Sequence, residues 1–78
     1  MRTVYLNGAY IPENEATVSI FDRGFLFADG VYEVTTVVDG KLIGFDGHIE
    51  RLQRSLNELQ MGHVVDREEM LQIHRELV

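Results

Sequence analysis

Arg51 is the residue in this chain best suited to hold an anion. On a helical repeat it shares one side with Gly44, His48 and Ser55, at the margin of an apolar stripe. A guanidinium placed there can reach into a pocket and meet a phosphate or carboxylate with two parallel donors. The commoner role of an arginine so placed is that of a solvated helix residue. Tyr32, between Val31 and Glu33, carries a hydroxyl that needs a partner in a core, an interface or a ligand pocket. Asp29 and Glu33 would face the same way on a strand and could form an acid–base pair, or they could anchor turns and pair with Arg23.

Several other chemistries are excluded. The chain has no cysteine, which rules out disulfides and thiolate metal sites. His48, His63 and His74 lack metal-ligand spacing, and no metal is expected. There is no phosphate-cradling glycine loop, no G-x-S-x-G elbow and no H-E-x-x-H. Net charge is −6 and the seven basic residues are scattered, which argues against nucleic acid as a partner. No apolar run approaches the ~20 residues of a membrane span. The N-terminus turns polar at Asn7, too early for a signal peptide, so a cytoplasmic location is expected.

The elements that must position these residues are legible as an α+β order. Thr3–Leu6 and Ala9–Pro12 are short β-prone runs joined by Asn7-Gly8, a two-residue hairpin signal, and Pro12 should end the second run. Ala16–Ile20 reads as one more short strand, and Asp22-Arg23-Gly24 as a turn. Val31–Val38 is rich in β-branched residues and is the strongest strand; Asp39-Gly40 then turns the chain into a second hairpin with Lys41–Phe45. Ile49, Leu52, Leu56 and Leu59 form one helical face, with Asp46 as N-cap, a Glu50–Arg54 pair outside and Gly62 as the stop. Asp66 with Glu69 should open a second helix carrying Met70, Ile73 and Leu77. The expected fold is an antiparallel sheet of hairpins followed by two helices packed on one face.

A chain of 78 residues is one small domain. It buries only roughly 60% of the surface its unfolded form exposes, so its own core is marginal. The two faces of Val31–Val38 are both largely apolar or neutral, the pattern of a strand covered on both sides. Two helices cover one side. The other needs a partner surface or a continuation of the chain.

At these residues the chain resembles a known family. Asp22–Val34 (DRGFLFADGVYEV), Asp39–Lys41 (DGK) and His48–Leu52 (HIERL), with Tyr5–Gly8 (YLNG) before them, resemble the start of the fold-type IV pyridoxal-phosphate enzymes. Within that family the motifs are most similar to the D-amino acid (D-alanine) aminotransferases. The resemblance covers essentially the whole chain.

The resemblance implies that residues 1–78 are the small N-terminal domain of a two-domain homodimeric enzyme, with pyridoxal 5′-phosphate between the domains and a larger C-terminal domain absent from this chain. It implies that Arg51 holds the cofactor phosphate and that Tyr32, Val34 and Thr36 line the substrate side. Thr36 stands where some members carry lysine. The substrates implied are an amino acid, with D-amino acids favoured, and a 2-oxo acid. The family's Schiff-base lysine lies downstream and nothing here matches it; Lys41 sits at a hairpin turn, so the chain alone is expected to be inactive. Branched-chain aminotransferase, R-selective amine transaminase and aminodeoxychorismate lyase are alternatives within the family. A non-catalytic association module, docking a partner through its bare sheet face, is the alternative of another class.

Overall fold

The computed structural model describes residues 2–78. Two antiparallel hairpins, each a separate two-stranded sheet, a 3₁₀ turn at Glu13–Glu15 and three α-helices make up a small α+β fold, as expected in class, with one short helix falling between the hairpins. Strands β1 (Thr3–Leu6) and β2 (Ala9–Pro12) pair in the register Thr3 to Pro12 and Tyr5 to Tyr10. Asn7 and Gly8 both take positive φ, 49° and 88°, as a type I′ turn requires. The Tyr5 and Tyr10 rings meet edge to face, with centroids 5.0 Å apart, which adds a cross-strand aromatic pair to the ladder. Strands β3 (Thr36–Val38) and β4 (Lys41–Ile43) form the second hairpin, and Asp39 and Gly40 repeat the same turn chemistry with φ of 49° and 73°.

Three expectations before the second hairpin's turn are corrected. Of Val31–Val38, only Thr36–Val38 is in a ladder, because β4 offers three residues before Gly44 turns the chain into a helix. Val31–Thr35 keeps the strand alternation without a strand partner: Val31, Glu33 and Thr35 are half-buried, while Tyr32 and Val34 are exposed. Ala16–Ile20 forms no strand, since no neighbouring strand meets it. Asp22-Arg23-Gly24 is the opening of a short helix, α1 (Arg23–Phe27); the Asp22 carboxylate accepts the Gly24 N–H at 2.9 Å, an N-cap.

The helix α2 (Phe45–Glu58) begins one residue before Asp46, with Gly44 as its N-cap in the left-handed region. Asp46 therefore lies in the first turn, where its carboxylate pairs with Arg67. The helix also ends earlier than Gly62. Gln60 takes φ of 57°, the Met61 N–H donates to the Leu56 carbonyl and the Gln60 N–H to the Asn57 carbonyl. That is a Schellman closure with glutamine in glycine's usual place. The outer Glu50–Arg54 pair does not form among the described residues. Helix α3 (Arg67–Leu77) starts where expected, the Asp66 carboxylate accepting the N–H groups of Glu68 and Glu69 at 3.0 and 3.2 Å.

Packing is thin, as the chain length requires. Helix α3 lies against β1, and Phe45 is the only buried side chain among the described residues, at 7% exposure. The His74 ring meets it edge to face at 5.1 Å, and the Arg67 guanidinium sits 5.6 Å from its centroid. No helix among the described residues is long and apolar enough to cross a membrane. Phe45→Ala should therefore cost about 3 kcal/mol or more, whereas Asp66→Ala should cost about 1 kcal/mol. Urea titrations of the two variants check that order; equal midpoints would show that the Phe45 contact does not hold the helices together.

Candidate functional site

The unpaired run Val31–Thr35 lies alongside α2, and its alternation turns the Glu33 side chain toward the helix. There α2 presents His48 and Arg51 on one side, one turn apart. Arg51 Nε donates to Glu33 Oε2 and Nη2 donates to Oε1, both at 2.7 Å, a two-point fork on one carboxylate. His48 Nδ1 lies 2.6 Å from the same Oε1. The two hydrogen-bonded partners, Arg51 first and His48 second, hold the Glu33 carboxyl at about 2, well below its ordinary 4.5. An ionised carboxylate has no proton to give, so the proton on this contact belongs to His48 Nδ1. The 3.4 Å approach of Arg51 Nη2 to His48 Nδ1 is then a contact between two donors. Glu33 in turn holds the Arg51 guanidinium charged, with its pKa above the ordinary arginine value.

Exposure separates the partners. The Glu33 side chain is 12% exposed and His48 23%, while Arg51 is 56% exposed. The guanidinium spans a covered carboxylate and an open concavity of about 320 Å³ lined by Tyr32, Glu33, Val34, Arg51 and Ser55. Nε and one Nη2 hydrogen are spent on Glu33. The Nη1/Nη2 edge, a second pair of parallel donors, is what Arg51 has left for an anion.

The structure brings Arg51, Tyr32 and Val34 to one concavity. Thr36 shares their exposed face but lies beyond that concavity, in β3 opposite Ile43. Asp29 and Glu33 are not brought together: Asp29 is 2.7 Å from the Arg23 guanidinium, the local pairing weighed against an acid–base role. Arg51 stands in the second turn of α2, past the free N–H groups of the first, so helix-end donors do not supplement it. The role of Glu33 as the arginine's partner was missed in sequence. The available signal was the i, i+3 spacing of His48 and Arg51, two donors facing one strand. No group of three or more potential ligands for a metal occurs among the described residues.

The sequence profile of amino-transferase class IV matches residues 30–78, a span that contains both strands of the site's hairpin and all of α2. The chain belongs to the class IV aminotransferases. It is 44% identical over all of its residues to a D-alanine aminotransferase of Staphylococcus haemolyticus, and 41% identical to that of Staphylococcus aureus (strain N315). It is also 41% identical, over 90% of its length, to an aminodeoxychorismate lyase of Bacillus subtilis (strain 168). The chain spans 28% of each of the two aminotransferases and 24% of the lyase.

The Glu33 clamp makes stability depend on pH in one direction. A depressed carboxyl favours the folded state above the unfolded value near 4.5, and that contribution fades as pH falls toward about 2. The stability difference between the wild-type chain and Glu33→Gln should thus be constant above pH 5 and shrink toward pH 2. Thermal melts across that range read it, and a difference unchanged with pH would rule out the clamp as its source.

Proposed function

We propose that this chain is the N-terminal part of a pyridoxal-phosphate-dependent transaminase that moves an amino group between an amino acid, with D-amino acids favoured, and a 2-oxo acid. The observation that carries the reading is the second donor edge of Arg51, charged, held in place and open to a concavity. That edge fits a phosphate: two parallel N–H donors and a full positive charge, with the Ser55 hydroxyl on the same wall. When bound, pyridoxal phosphate supplies the electron sink for amino-group transfer.

The chain's own residues bind and orient. Arg51 meets the phosphate, Tyr32 and Val34 form the wall of the substrate side, and Thr36 continues that face farther out. The covalent partner of the cofactor belongs elsewhere. Lys41 lines a separate concavity of about 560 Å³ with Gly40, Phe45, Arg67 and Arg75, away from the one that holds Arg51. We infer that a larger second domain carries the bonding lysine, with the cofactor between the two domains of a cytoplasmic homodimer. Exposed Tyr32 (84%) and Val34 (69%) are the surface that second domain would cover.

A second reading within the family, aminodeoxychorismate lyase, is favoured by the identity to the Bacillus protein. It uses the same anchor and differs in the substrate. An association module without catalysis would use the bare face alone and leave Arg51 idle.

In the complete polypeptide, Arg51→Ala should weaken pyridoxal-phosphate binding about a hundredfold, the value of a lost two-point charged contact. Equilibrium dialysis measures it, and unchanged affinity would leave the association module standing instead. The 78-residue chain alone is expected to give no amino-group transfer with any amino acid and 2-oxo acid pair; turnover by a chain of verified mass would overturn the assignment of the bonding lysine to another domain.

A further inference from the structure

We propose that Glu33 is a positioning residue for the anion site: by taking the Nε/Nη2 edge of Arg51 it fixes the guanidinium plane and commits the Nη1/Nη2 edge to the concavity. The inference rests on the reading that Arg51 meets the cofactor phosphate.

Three observations carry it. The first is the forked geometry itself. Two donors on two oxygens, both at 2.7 Å, fix the rotation of the guanidinium, whereas a single hydrogen bond would leave it to swing. The second is the anchor behind the carboxylate. His48 holds Oε1 from the side at 2.6 Å, so Glu33 is itself fixed by a group that is not among the residues lining the concavity. The third is the gradient of exposure, from a carboxylate 12% exposed to a guanidinium 56% exposed. The covered end orients and the open end binds.

A carboxylate beside an anion site has an opposite reading, in which Glu33 competes with the phosphate for Arg51. The burial decides between them. A phosphate that displaced Glu33 from Arg51 would leave a covered charge with His48 as its only partner, and breaking a covered charged pair is costly. A phosphate that takes the second edge leaves every Glu33 contact in place. Sharing the guanidinium is therefore favoured over exchange.

The test compares two ligands in the complete polypeptide, pyridoxal phosphate and pyridoxal, which lacks the phosphate. Glu33→Gln keeps the shape and removes the charge that orients the fork. It should weaken pyridoxal phosphate roughly tenfold and leave pyridoxal within about twofold. In the Arg51→Ala background the same substitution should have no further effect, because there is nothing left to position. Glu33→Asp, which keeps the charge but draws it back by one methylene, should also weaken pyridoxal phosphate alone, and it serves where Glu33→Gln does not fold.

Unchanged or tighter pyridoxal-phosphate binding by both Glu33 variants, with Arg51→Ala still weak, overturns the positioning role and spares the phosphate assignment. Equal loss of both ligands assigns Glu33 to general structure and overturns it as well. Indifference of Arg51→Ala to the phosphate removes the underlying assignment, and the positioning role with it.

Discussion

One covered carboxylate sets the terms for this part of the molecule. Glu33 lies on a run of chain with no strand partner, so backbone hydrogen bonding does not hold that run to the rest of the fold. A charge buried without partners would be expelled to water or neutralised by a proton. Glu33 stays ionised because Arg51 and His48 bring three donor contacts to its two oxygens. The same contacts tie Val31–Thr35 to α2. Remove them and the segment that carries Tyr32 and Val34 has little to fix its distance from Arg51.

The rest of the fold is arranged around what this segment leaves bare. Its inward side chains meet α2 and α3 across a small concavity of about 230 Å³, lined by Val31, Thr35, His48, Ile49, Leu52 and Met70 among others. Its outward side chains, Tyr32 and Val34, are largely exposed, at 84% and 69%. Phe21, Phe25 and Phe27 are exposed as well, at 76%, 71% and 63%. The core is correspondingly small, with Phe45 its one buried side chain among the described residues.

Local chemistry made much of the fold legible. Asn7-Gly8 and Asp39-Gly40 are turns that few other residue pairs form without strain, and Asp66 caps α3 whatever surrounds it. The errors fall where a residue's state depends on a distant partner. Val31–Thr35 has the composition of a strand and lacks a ladder because β4 is short. Asp46 has the composition of an N-cap, but Gly44 turns the chain one residue sooner and Asp46 goes to Arg67 instead.

The site divides in the same way. By itself the sequence determined the α+β order, the two hairpin turns and the motifs that mark a class IV aminotransferase, because these rest on residues near one another in the chain. It also singled out Arg51 and Tyr32 as chemically apt. Only the tertiary structure decided which carboxylate meets Arg51. Asp29 and Glu33 have the same charge and comparable access to arginines in sequence. Their partners, Arg23 and Arg51, were chosen by the path of the chain, which sets Glu33 against a helix eighteen residues on. A carboxylate's partner is a matter of distance in space, and spacing along the chain fixes that distance only within a turn or two of helix.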